Sequence, residues 1–220
     1  MSSYYPVFLK IEKRKCVVVG GGQVALRKVN ALLEDGAIVA VVSPEICPEL
    51  EKLSDDGKIV VSRRAYKSGD IAGALIAIAA TDDRRTNLKV SKDARKAGVL
   101  VNVVDDAESS DFIVPSSLRR GDIAVAVSTA GKSPALARKI RTRLEDYFGE
   151  EYGSLANLIE DVRAEVKGKG ISVDAEDWQK ALDLDLLTGL LRQGNGAKAR
   201  AILLDSLSPR NEIRGIIDAI

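Results

Sequence analysis

Five short, almost wholly apolar runs recur through the first 104 residues of the chain. Each is separated from the next by a longer or more polar stretch. They are Lys15–Val19 (KCVVV), Ile38–Val42 (IVAVV), Lys58–Ser62 (KIVVS), Leu75–Ala79 (LIAIA) and Val99–Val104 (VLVNVV). They are dense in Val and Ile and show little polar alternation, which predicts strands covered on both faces, as in a parallel sheet. Val24–Leu33, Pro44–Leu53 and Arg84–Lys96 have helical character, and Gly36 and Gly98 stand where helix C-caps belong. The repeated β–α alternation predicts an α/β fold, a Rossmann-like doubly wound parallel sheet.

Beyond this region the pattern changes. Phe112–Val114 and Ile123–Val127 read as a second, smaller β-rich stretch. Ser133-Pro134 places a favoured N-cap and N1 pair before a helix running to about Phe148, with Gly149 as its stop. From about Glu150 the β signal disappears. Trp178, Leu182, Leu186 and Leu190 recur every fourth residue, predicting one helix face between an Asp174 cap and Gly194. Lys167–Gly170 reads as a connector, and Ala197–Leu207 and Pro209–Ile220 as two short helices. The expected division is 1–112, a nucleotide-binding domain, then a small β-rich segment 113–149, then a C-terminal α-helical domain 150–220.

The chain has 220 residues and no histidine. This excludes Ser-His-Asp and Cys-His nucleophile systems and the commonest zinc sets, and no metal site is expected. Acid–base chemistry must use Asp, Glu, Lys, Tyr or Cys. A net charge of +1 argues against a nucleic-acid binder. Two cysteines cannot form a metal cage, and Cys16 lies in an apolar run that suits a buried structural thiol. No run resembles a signal peptide or a membrane span, so a cytoplasmic chain with reduced thiols is expected.

Gly20-Gly21-Gly22-Gln23-Val24-Ala25 follows the first strand directly and opens the first helix. This is the G-x-G-x-x-G/A pattern in its required context. Gly20 permits the tight turn, Gly22 lets a pyrophosphate approach the backbone, and Ala25 allows close helix–strand packing. The helix N-terminus then offers free N–H groups to phosphate. No acidic residue closes the second strand, where Ser43-Pro44 stands instead. A serine can bond a ribose hydroxyl yet does not repel a 2′-phosphate, so these residues leave NAD and NADP open. Thr81-Asp82-Asp83 follows the fourth strand, with Asp82 the expected helix cap. Asn102 and Asp105 close the fifth, where partial burial would raise Asp105 toward a useful general base. Residues 119–143 hold seven cations against Asp122 alone, a net +6 that leaves −5 for the rest of the chain. This is either a solvated helix face or an anion site beside Ser128-Thr129-Ala130-Gly131-Lys132-Ser133.

Several of these motifs together resemble one family. They are Tyr5-Pro6-Val7-Phe8-Leu9, CVVVGGGQVALRK (Cys16–Lys28), IAATDD (Ile78–Asp83), VNVVDD (Val101–Asp106), FIVPS (Phe112–Ser116) and AVSTAGKSPALAR (Ala126–Arg138). In this order they are similar to the precorrin-2 dehydrogenase module of siroheme synthases, over roughly residues 4–147. The resemblance implies NAD-dependent oxidation of precorrin-2 to sirohydrochlorin, with ferrous iron insertion in some members. It implies a homodimer joined through the 113–149 segment and a tetrapyrrole substrate. It carries the essential aspartate onto Asp105 and NAD contacts onto Gln23, Val24, Ser43 and Pro44, beside Gly20 and Gly22 of the glycine pattern. Thr81 and Asn102 are added to that cofactor set from their places at the strand ends. Substrate contacts fall on Ser128, Thr129, Lys132 and Arg138. The matching hydroxyl position holds Thr129 where relatives carry serine. The competing expectations are a non-catalytic dinucleotide-sensing module and a tetrapyrrole binder that consumes no NAD.

Overall fold

The computed structural model describes residues 4–207. The expected helix Pro209–Ile220 lies outside the described residues. The contacts divide the chain into two compact units. One runs to Val114 and includes Ala130–Lys132; the other comprises Pro115–Thr129 and the chain from Ser133 onward.

The first unit is built on five parallel strands: β1 (Lys15–Val19), β2 (Ile38–Val42), β3 (Ile59–Ser62), β4 (Ile76–Ala79) and β5 (Leu100–Val103). Their order across the sheet is β3-β2-β1-β4-β5, so the winding reverses between β1 and β4. Alternate residues supply the two faces. Cys16, Val18, Val39, Val41, Ile76 and Ile78 pack against Ala25, Val29 and Leu32 of α1 (Gln23–Glu34) and Leu50 of α2 (Pro48–Asp55). Val17, Val19, Ala77, Ala79, Val101 and Val103 pack against Val90 and Ala94 of α3 (Arg84–Ala97) on the other face. This two-sided burial is why the strands read as continuous apolar runs. Cys16 is fully buried at the centre of the sheet.

Three expectations in this unit need correction. The second helix begins at Pro48, not Pro44. The Ser43 hydroxyl donates to the Glu45 carbonyl (2.6 Å) and the Cys47 N–H donates to the Gly21 carbonyl (2.8 Å). Those bonds hold Pro44–Cys47 as a loop folded over the glycine turn. The cap of α3 is Asp83, not Asp82; its carboxylate accepts from the Arg85 and Thr86 N–H groups (3.0 and 3.1 Å). Phe112–Val114 is not a strand, because the segment is tied back to β5 instead. The Asp111 N–H donates to the Val101 carbonyl (2.8 Å) and the Asn102 amide to the Phe112 carbonyl (3.0 Å).

In the second unit β6 (Ser116–Arg120) and β7 (Ile123–Val127) form an antiparallel hairpin. Among the described residues five helices follow: α4 (Pro134–Tyr147), α5 (Glu151–Gly168), α6 (Ala175–Ala181), α7 (Leu184–Arg192) and α8 (Gly196–Ser206). Ser133 caps α4 as expected, its hydroxyl accepting from the Leu136 N–H (3.2 Å). Leu155, Val162, Val166, Trp178, Leu187, Leu190, Ala199 and Leu203 form this unit's core. The single helix expected through Trp178 and Leu190 is two. Asp183 accepts from the Leu186 N–H (3.1 Å) and restarts the chain as α7, which leaves Leu186 exposed.

The glycine turn is set by contact as well as by conformation. Gly20 has φ of 130°, and a Cβ there would lie 2.2 Å from the Ala80 carbonyl oxygen. A Cβ on Gly21 would lie 1.9 Å from the Glu45 carbonyl oxygen, whereas nothing lies within 4 Å of one on Gly22. Gly21→Ala should therefore destabilise the protein by about 1–3 kcal/mol through overpacking. Gly22→Ala should change stability by less than about 1 kcal/mol. Urea denaturation of the two variants checks this, and equal stabilities would contradict it.

Candidate functional site

At the carboxyl edge of the sheet a cleft of about 730 Å³ opens where the winding reverses. Gly20, Gly21, Gly22, Gln23 and Val24 form its floor. Ser43–Cys47 and Thr81–Asp83 form two walls, and Ala65, Tyr66 and Thr86 also line it. Seven of the expected cofactor residues, Gly20, Gly22, Gln23, Val24, Ser43, Pro44 and Thr81, are brought together here. Asn102 is not among the lining residues; it is buried in β5 with its amide on the Phe112 carbonyl.

The helix N-termini at this edge differ. That of α3 is filled by Asp83, whose carboxyl the Thr86 hydroxyl and then the Arg85 N–H hold below the ordinary value. α2 carries Glu49 and Glu51 in its first turn. α1 has Gly22 as N-cap, no side-chain cap and no acidic residue in its first turn. Its free N–H groups and dipole are therefore open to an anion. Among the described residues the remaining lining charges are all carboxylates, Glu45, Asp82 and Asp83, with no Lys or Arg.

Two residues that build the walls escape sequence reasoning. Tyr66 is buried, its hydroxyl donates to Asp93 (3.2 Å), and the Lys89 ammonium lies 5.5 Å from its ring centre. Burial, then the Asp93 carboxylate, hold its phenol protonated well above the ordinary tyrosine value. Asn87 fixes the other wall: its amide donates to the Thr81 carbonyl (2.8 Å), and its oxygen accepts from the Thr81 hydroxyl (2.7 Å). Neither stands in a recognisable motif. A buried asparagine on an otherwise polar helix is the available signal for Asn87.

Asp105 follows β5 in a turn with φ of 60°, the left-handed region, and it is exposed. The partial burial expected for it is absent. The turn itself is tightly held. The Asp106 carboxylate accepts from the Ser109 N–H (3.0 Å) and hydroxyl (2.8 Å), and the Ser110 hydroxyl accepts from the Val103 N–H (2.8 Å). The Ser109 hydroxyl, then its N–H, keep the Asp106 carboxyl below its ordinary value.

The expected substrate residues lie around the start of α4. The Thr129 hydroxyl accepts from the Ser133 N–H (3.0 Å) and donates to its carbonyl (3.1 Å), so it shapes the turn before α4. Ala130 and Gly131 follow with φ of 51° and 80°. Ser128, Lys132 and Arg138 are exposed. Not every cation of the 119–143 segment faces solvent alone. Arg120 donates to the Phe148 carbonyl (2.7 Å) and pairs with Glu150, and Arg141 pairs with Glu145.

A parallel sheet of this order, with an uncapped helix N-terminus and a glycine turn at its point of reversal, defines a dinucleotide-binding domain. Residues 7–116, half the chain, match the family described as putative NAD(P)-binding. The chain belongs to that family. Residues 120–147 match the central segment of sirohaem biosynthesis proteins. The chain is 42% identical over 200 residues to a siroheme synthase of Chromobacterium violaceum, covering 90% of this chain and 42% of that protein. It is 44% identical over 212 residues to one of Methylobacillus flagellatus, covering 94% and 45%. It thus spans less than half the length of these relatives. Among solved structures it is similar to a precorrin-2 dehydrogenase, with a TM-score of 0.70 at 25% identity over 92% of this chain and 98% of that one.

Asp105 adopts the left-handed conformation. Aspartate and asparagine tolerate this conformation, while an alanine there is strained by about 1 kcal/mol. Asp105→Ala should lose about that much stability and Asp105→Asn under about half of it. Urea denaturation checks this; equal losses would contradict it.

Proposed function

We propose that this chain oxidises precorrin-2 to sirohydrochlorin, with NAD+ as the acceptor. The observation that carries the reading is the pairing of two features on one sheet edge. One is the N-terminus of α1 at the floor of the cleft, with no side-chain cap and no acidic residue in its own first turn. The other is the free carboxylate of Asp105 at the tip of β5, the strand beyond β4. The likeness to a precorrin-2 dehydrogenase spans nearly all of that protein and supports the same substrate.

Bound in the cleft, NAD+ would supply the hydride acceptor. The N–H groups at Gln23 and Val24 would meet its pyrophosphate, and Gly22 leaves room for the approach. Ser43 and Pro44 would flank the adenosine ribose, and Thr81 the turn beside β4. An additional 2′-phosphate would meet Glu45, Asp82 and Asp83 without a lining cation, so the cleft favours NAD over NADP. Loss of a hydride from the tetrapyrrole leaves a proton to remove. With no histidine in the chain, Asp105 takes it. Asn102 orders the backbone on which Asp105 stands, through its bond to Phe112. Ser128, Thr129, Lys132 and Arg138 serve the polycarboxylate substrate, the cations by charge and Thr129 by shaping the turn.

The three-part division into 1–112, 113–149 and 150–220 belongs to this reading, with the middle segment joining two subunits as a homodimer. So does a cytoplasmic site of action. Among the described residues no helix is long and apolar enough to cross a membrane.

An anaerobic assay of NADH formation with precorrin-2 tests the reading. NAD+ should give kcat/KM at least about tenfold above NADP+, as like-charge contact requires. Asp105→Asn should lose about 100-fold or more in kcat while still binding NAD+. No turnover with either nucleotide, or near-normal turnover in Asp105→Asn, would refute it.

A further inference from the structure

The wall of the cleft beyond β4 carries the hydroxyls of Thr81 and Thr86. Each hydroxyl has one hydrogen to give, and both hydrogens are committed within the wall. The Thr86 hydroxyl donates to the Asp83 carboxylate (2.6 Å). The Thr81 hydroxyl oxygen lies 2.7 Å from the Asn87 amide oxygen and 3.1 Å from the Asp83 carbonyl oxygen, and both of these are acceptors. Asn87 is buried on α3 and does not itself line the cleft. Its own bonds fix which way its amide points. The nitrogen must face the Thr81 carbonyl (2.8 Å), because a carbonyl only accepts. The oxygen then takes the Thr81 N–H (3.3 Å) as well as the hydroxyl. Asn87 therefore grips Thr81 by three groups and leaves its hydroxyl oxygen with lone pairs alone to offer a ligand.

The side chains of this wall, Thr81, Asp82, Asp83 and Thr86, thus offer acceptors only. A ligand hydroxyl can donate to them. An ionised phosphate has no hydrogen to give and is repelled by the two carboxylates. Phosphate has its own place at the bare N-terminus of α1. The part of a dinucleotide that suits the wall is therefore a ribose, which carries hydroxyl donors. β4 stands on the β5 side of β1, opposite β2 and β3. The two halves of a dinucleotide lie on either side of the point of reversal, so the ribose beside Thr81 is the one that bears the nicotinamide.

We propose that Asn87 is a positioning residue for the dinucleotide: it holds the Thr81 peptide and takes the hydroxyl hydrogen, so that Thr81 accepts a hydrogen bond from the ribose of the nicotinamide half. The inference rests on the NAD reading of the cleft and deepens it. It gives the β4 wall a ligand group of its own, distinct from the pyrophosphate at α1 and the adenosine ribose at Ser43.

The test uses the whole chain, with NAD+, ADP-ribose and ADP as calorimetric probes. ADP carries the adenosine half and the pyrophosphate, and ADP-ribose adds only the second ribose. Thr81→Val keeps the shape and removes the hydroxyl. It should weaken NAD+ and ADP-ribose about fivefold, the effect of one neutral hydrogen bond, and leave ADP within about twofold. Thr81→Ser should bind all three as the wild type does. Asn87→Ala should weaken ADP-ribose at least as much as Thr81→Val, again with ADP within about twofold. Adding Thr81→Val to Asn87→Ala should then cost less than about a further twofold, because Asn87 acts through that hydroxyl. A full further fivefold loss, or a loss of ADP binding in Asn87→Ala, would make Asn87 a structural residue and overturn the assignment. A loss of NAD+ but not ADP-ribose affinity in Thr81→Val would place the hydroxyl on the nicotinamide instead of the ribose and also overturn it. If the wild-type chain binds NAD+ and neither variant differs from it, the assignment is wrong and the dehydrogenase reading stands. If the wild-type chain binds no NAD+, both fall.

Discussion

The first unit depends on how closely three pieces of backbone approach one another at the glycine turn. Gly20 lies against the Ala80 carbonyl at the end of β4, and Gly21 against the Glu45 carbonyl of the loop after β2. The Cys47 N–H to Gly21 carbonyl bond closes the arrangement. No residue with a Cβ fits at either position without moving its neighbour. Those approaches bring the ends of β1, β2 and β4 to one place and leave the N-terminus of α1 bare between them. The cleft is a consequence of that packing. Gly22 contributes differently, since it has open space beside it and no side chain to occupy that space.

The parallel sheet is legible in the sequence because burial on both faces favours apolar residues along its inner strands. β1 and β2 begin and end where the apolar runs do. Boundaries set by single hydrogen bonds are not legible. Nothing local distinguishes Asp82 from Asp83 as a cap, and it is the Ser43–Glu45 and Cys47–Gly21 bonds that hold Pro44 out of a helix. Phe112–Val114 has the composition of a strand, but its bonding partners lie along β5 in a non-ladder arrangement. The long helix α5 carries a weaker signal. Leu155, Leu158, Ile159, Val162 and Val166 follow helical spacing, yet no cap motif announces the start, since Glu150 makes no side-chain cap bond.

The candidate site divides the same way. Residues on the glycine turn and the strand ends can be found because topology alone carries them to one edge. Tyr66 and Asn87 cannot, since their roles depend on partners 27 and 6 residues away. Asp105 is found by its motif, but its exposure and left-handed backbone come from the Ser109–Ser110 turn that holds it.

The chemistry of the whole edge turns on where a dinucleotide lies relative to the point of reversal. A crystal structure of the chain with NAD+ measures this most directly. The pyrophosphate should rest on the N–H groups of Gln23 and Val24, with adenosine toward β2 and β3 and the nicotinamide on the β4–β5 side, facing Asp105. A nucleotide bound elsewhere, or a nicotinamide directed over β2 and away from Asp105, would contradict it.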